Sequence, residues 1–168
     1  MLERSARSLP SPNASHDSPP LGALMLGGAG ALPFVVLAIA AWTVAGSIGP
    51  VAIDGILTYG AVILSFIGGA HWGFASVRVE DDRVPKARWL LLASVLPSLV
   101  GWGALLFSPP WSALVLGCAF IAVVPLDSWA RARALAPPWW MRLRLPLSAI
   151  AAMSLFVTGA ATCPWFGS

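Results

Sequence analysis

Charge is what this chain has least of: Asp, Glu, Lys and Arg make up only 10% of its 168 residues, where a soluble domain carries about a quarter. That deficit excludes a water-soluble globule, which needs a polar skin over its apolar interior. Lysine occurs once, and no Lys/Arg-rich tract with interleaved aromatics is present, so the net charge of +3 does not signal a nucleic-acid partner. Two cysteines, Cys118 and Cys163, make neither a disulfide framework nor a CxxC metal site and read as small apolar fillers. No GxGxxG opens a βαβ unit, no P-loop is present, and no Ser or Cys has the His and carboxylate of a triad. The expectation is a protein that is not an enzyme, with no catalytic residues, no resident cofactor and no metal.

What the chain does have is apolar length. Hydrophobic residues make up 58% of it, and the mean hydropathy is +0.80. Five runs approach or exceed the roughly 20 apolar residues that cross about 30 Å of hydrocarbon: residues 22–45, 55–77, 89–107, 111–126 and 145–163. Each must be helical, because lipid offers the backbone no hydrogen-bond partner outside the segment. The fold class is therefore an all-α integral membrane protein, a five-helix transmembrane bundle over residues 21–168. Residues 1–20, rich in Ser and Pro, read as a disordered tail. The fourth run is shortest, and it either thins the bilayer locally or continues into Ser128–Arg133. Pro33, Pro97 and Pro125 predict kinks, with Ser94 or Ser98 at hand to bond freed carbonyls.

Lys and Arg counted along successive extramembrane segments run 2, 0, 4, 0, 4, 0. The positive-inside rule then puts the N-terminus in the cytoplasm and the C-terminus in the periplasm. Nine arginines against one lysine match the usage of GC-rich bacterial genomes, which points to a bacterial inner membrane. Trp42, Trp89, Trp111, Trp139, Trp140 and Trp165 fall near span ends, as an aromatic belt requires.

The second run holds the candidate site: Tyr59, Ser65, Gly68, Gly69, His71, Trp72 and Gly73. Ala61, Ser65, Gly69 and Gly73 recur every fourth residue and form a small-residue stripe, a packing seam for another helix or a second copy of the chain. His71 is the one ionisable side chain well inside a run, and such residues are functional suspects. At about 100° per residue it lies away from the stripe, on a face with Leu64, Ile67, Gly68, Ala75 and Arg78. The simplest reading is a neutral imidazole bonded to a carbonyl or a water. The alternatives are contact with a quinone or lipid head group, and haem or metal ligation. Asp127 with Arg142 and Arg144 reads as an interfacial charge cluster, and Asp54 marks the opposite surface.

The stretch from Tyr59 to Gly73, with Gly-Gly-Ala-His-Trp-Gly at its end, resembles the signature of the domain-of-unknown-function 3429 family. Gly28 to Phe34 and Pro138 to Ser148 are similar to that family's other motifs. Ala70, Trp140 and Ser148 stand where the family pattern has a bulkier aliphatic, a Tyr and a Thr. The resemblance spans about residues 22–163 and implies a compact multi-pass protein of bacterial and mitochondrial inner membranes with no established activity.

Short loops leave no room for a soluble catalytic domain, so the first functional expectation is a non-enzymatic accessory or assembly factor of a membrane complex. The alternative is a quinone-, haem- or lipid-binding protein using the His71 face. A small transporter is the weaker alternative, because no inverted repeat or midplane carboxylate appears.

Overall fold

The computed structural model describes residues 18–43, 48–77 and 87–163. Most of the expected tail, Arg78, Arg83 and Lys86 of the second loop, and Trp165 lie outside these residues. Among the described residues every regular element is a helix: α1 Leu21–Thr43, α2 Ile48–Ser76, α3 Ala87–Ala93, α4 Leu96–Ala104, α5 Trp111–Ala132 and α6 Trp140–Ala161. Helices α1, α2, α5 and α6 are each long and apolar enough to cross a membrane, and α3 with α4 forms a shorter apolar segment, Arg88–Ala104.

The third predicted run is thus two helices rather than one. Pro97 has no amide to offer the Ala93 carbonyl, and its ring crowds that carbonyl. The helix stops at Ala93 and restarts with Val95 as N-cap and the proline in its first turn, where a missing amide does no harm. The Ser94 hydroxyl donates to the Leu91 carbonyl at 2.7 Å.

Three helices outrun their apolar stretches. Helix α2 starts seven residues before Gly55, since Pro50 falls in its first turn. Helix α5 continues through the charged residues to Ala132, and α6 begins at Trp140, five residues ahead of Leu145. Hydropathy falls at the first charge, but Asp, Arg and Ser propagate a helix at only a few tenths of a kcal/mol below the best formers. The extensions place Asp127 and Arg144 inside helices instead of in loops.

Helices α1, α2, α4, α5 and α6 pack in a ring in that order, α6 closing on α1, while α2 also reaches across to α5 and α6. The core holds Phe34, Ile56, Leu64, Leu116, Phe120 and Leu155. Large apolar side chains such as Leu32, Phe66, Leu99, Ile121 and Met153 point outward. An apolar exterior of this extent is stable only in lipid.

Small residues do bring α2 against its neighbours, but not along the expected stripe. Ala61 is buried, with Gly101 of α4 against it, whereas Gly69 and Gly73 have open space beside them. The tightest crossing is at Gly68, where any Cβ would collide with the Ser94 carbonyl oxygen at the α3–α4 break. The stripe's outer members, Ser65, Gly69 and Gly73, face away from the bundle.

Helix α5 ends in a left-handed residue, Ala134 with φ 56°. The Leu135 amide donates to the Ala130 carbonyl at 2.9 Å and the Ala134 amide to Arg131 at 2.9 Å, the paired bonds of a Schellman stop. Leu135 and Ala130 are buried together beside Trp140, and the turn brings the start of α6 back against α5.

Candidate functional site

On α2 the residues facing the interior include Gly60, Leu64, Ile67, Gly68, His71 and Ala75. That is the face the helical angles assign to His71, which has no exposed surface. On α5 the buried residues Phe120, Val123, Asp127 and Ala130 follow the same three-and-four spacing. On α6, Trp140, Arg144 and Ser148 are spaced by four and share one face. These three faces meet, and the polar side chains on them converge on one carboxylate.

Asp127 is 0% exposed. Its Oδ1 is 2.8 Å from His71 Nε2 and accepts from the Trp140 indole N–H at 2.7 Å. The Arg144 guanidinium, also buried, brings Nε to 3.0 Å from Oδ2, close enough for strong attraction but without hydrogen-bond alignment. Arg144 Nη1 donates to the Ser148 hydroxyl at 2.6 Å. With a carboxylate as acceptor, the His71 Nε2 must carry the proton of that bond. Among the described residues His71 Nδ1 and Arg144 Nη2 have no partner at all, while Arg144 Nε and Asp127 Oδ2 face each other without a hydrogen bond.

The sequence places Asp127 at a membrane surface with arginines around it; the helix extension and the Schellman turn bury it, and among the described arginines Arg144 is the one within ion-pair distance. Arg142 is exposed, two residues along α6 and on a different face. Where the sequence suggests a carbonyl or a water, the partner of His71 Nε2 is this carboxylate. Trp140, expected in the aromatic belt, is an interior donor, while Trp42, Trp89 and Trp111 remain exposed. The sequence signal that ties the cluster together is the Trp140, Arg144, Ser148 spacing, legible once α6 is started at Trp140.

Beside the cluster, α1, α2 and α6 enclose a partly open cleft of about 440 Å³, within the range of small-molecule sites. Gly27, Gly30 and Phe34 line it from α1, Ile63 and Ile67 from α2, and Leu147 from α6. Among the described residues Arg144 is the one ionisable side chain in its wall, next to Trp139 and Trp140. The Gly27 and Gly30 positions leave α1 without side chains where the cleft opens. Tyr59 lies near, its hydroxyl donating to the Gly30 carbonyl at 2.8 Å, and its ring meets Phe34 edge to face at 5.0 Å. Ser65 bonds its own helix at Ala61, and Trp72, Gly69 and Gly73 face outward, away from the cluster. Of the candidate residues on α2, then, only His71 and Gly68 are fully packed in the interior, with Tyr59 half-buried beside the cleft.

Fold and cluster together define a small multi-pass helical membrane protein with an apolar exterior, a buried carboxylate–guanidinium–imidazole cluster and an apolar cleft against it. The chain belongs to the family described as protein of unknown function (DUF3429), whose model matches residues 19–160. It is 36% identical over 146 residues to transmembrane protein 69 of Xenopus tropicalis, covering 81% of this chain and 53% of that one. It is 29% identical over 103 residues to transmembrane protein 69 of Mus musculus, covering 61% of this chain and 41% of that one. The chain thus spans about half the length of the curated relatives it matches. No solved structure matches it.

Proposed function

We propose that this protein is a non-enzymatic membrane protein that holds an amphiphile, of the lipid or quinone class, in the cleft between α1, α2 and α6. The observation that carries this reading is Arg144: a buried guanidinium in the wall of an otherwise apolar cavity, with Nη2 unpartnered. An unmet donor in a low-dielectric interior costs about 1–3 kcal/mol, and a ligand's acceptor would remove that cost. Arg144 stands four residues into α6, about 6 Å from its start. A head group there would sit near the interface, with its apolar body running toward Phe34 and Phe120 at mid-bundle. The test is mass spectrometry of what co-purifies in mild detergent. An amphiphile should be enriched over bulk membrane extract and lost in Ala31→Phe, which fills the cleft; equal composition in the two proteins would sink the reading.

The accessory-factor reading has its own observation, the open surface at Gly69 and Gly73 on the outer face of α2, where a partner's helix could approach closely. Native gels after gentle extraction check it: a larger complex that Gly73→Leu dissolves supports it, and a free monomer does not.

The membrane we propose is a bacterial inner membrane, with the N-terminus cytoplasmic. The alternating charge series supports this orientation. A phosphatase reporter fused after Ser168 is expected to be active, and the same reporter fused between α2 and α3 inactive. The reverse pattern would invert the topology.

A further inference from the structure

We infer that the polar end of the cleft's ligand is an uncharged carbonyl, such as a quinone or ester carbonyl, accepted by Arg144, and that anionic head groups are excluded from it. The inference rests on the amphiphile reading above and adds the chemistry of the ligand's head.

Charge balance carries the step. Among the described residues Arg144 is the single ionisable side chain lining the cleft, and its Nε is already 3.0 Å from the Asp127 carboxylate. Among the described residues, one buried anion therefore meets one buried cation. The third member, His71, is joined to Asp127 through Nε2 and is not part of the cleft wall. A phosphate or carboxylate head group entering the cleft would bring a second anion into an apolar interior that, among the described residues, has no second cation for it, and an uncompensated buried charge is strongly disfavoured. A carbonyl brings no charge.

The donor inventory agrees. Of the guanidinium's nitrogens, Nη1 has Ser148 and Nε has Asp127 beside it, leaving Nη2. The Trp140 N–H, also at the cleft wall, is committed to Asp127. What remains to the ligand is donation from one arginine nitrogen and nothing that accepts, so an acceptor-only head group fits and a hydroxyl or amine head does not. The rest of the wall is Gly, Ala, Leu, Ile and aromatic rings, which suits a flat ring or acyl chain.

Binding to the purified protein, followed by tryptophan fluorescence quenching or by isothermal titration, tests this with four probes of equal chain length: a decyl-benzoquinone, methyl decanoate, decylbenzene and a didecanoyl phosphatidic acid. The quinone, the ester or both should bind at least tenfold more tightly than decylbenzene and phosphatidic acid, the span of one hydrogen bond to a charged donor. Which of the two binds identifies the source of the carbonyl. Arg144→Met alone strands the Asp127 carboxylate, so the comparison variant is D127N/R144M, which removes both charges. It should keep decylbenzene binding and lose the carbonyl preference. Tighter binding of phosphatidic acid, or a carbonyl preference that survives in the double variant, would overturn the inference. Equal binding of the carbonyl and hydrocarbon probes overturns it while leaving the amphiphile reading intact; no binding of any probe fails that reading as well.

Discussion

Asp127→Ala is expected to be the most damaging single substitution in the bundle, lowering stability in detergent by about 3–5 kcal/mol, the usual result of stranding one member of a buried ion pair. Two donors lose their acceptor, His71 Nε2 at 2.8 Å and the Trp140 indole at 2.7 Å, and the Arg144 guanidinium loses its counter-charge at 3.0 Å. Of these, Arg144 dominates, because a buried guanidinium cannot shed its charge. The pair variant D127L/R144M separates charge from packing. It removes both charges and fills their volume with apolar atoms, and should lose less than half as much stability as Asp127→Ala. Heating in detergent, with the folded fraction read by size-exclusion chromatography, makes the comparison. If Asp127→Ala melts with the unaltered protein, or if the pair variant is as fragile as the single one, the three groups do not act as a coupled cluster.

Gly68→Ala should cost about 1–3 kcal/mol, the range for overfilling a packed interior. The clash is with backbone, the Ser94 carbonyl oxygen, and not with the movable end of a side chain. Relief therefore requires α2 to move away from the α3–α4 break, and that loosens the Ala61–Gly101 crossing about two turns away on the same face of α2. Gly69→Ala is the matched control. Its Cβ meets nothing within 4 Å, and alanine is the better helix former by about 1 kcal/mol, so it should be neutral or stabilising. The same melts decide: equal stability of the two variants would mean that α2 does not cross the break at Gly68.

Membrane residence was legible because it depends on summed hydropathy, which needs no knowledge of contacts. Residues such as Leu32, Phe66 and Met153 are apolar wherever they point. The face of His71 was legible for a similar reason: 3.6 residues per turn is a local property, and Leu64, Gly68, His71 and Ala75 share the interior face as the angles require. The third run shows the limit. Pro97 signalled a kink, but a kink and a complete break differ only in whether the bonds around Ser94 and Val95 are made, and packing against Gly68 bears on that.

The site was harder. His71 and the Asp127–Arg144 pair are 56 residues or more apart, and nothing local links them. Apolar windows end the fourth run at Leu126 and begin the fifth at Leu145, which leaves the carboxylate and the guanidinium at a surface. The small-residue stripe misled in the opposite way, since a spacing of four reports that residues share a face but not which neighbour, if any, covers it.

By itself, then, the sequence determined the solvent of this protein, its helical class, its near-complete set of spans and the interior face of the second helix, all consequences of composition and helical period. Tertiary structure decided that His71, Asp127, Trp140 and Arg144 form one cluster and that a cleft lies against it. The physical reason is that burial of a charge depends on the helices that surround it, and only the packing of α2, α5 and α6 supplies them.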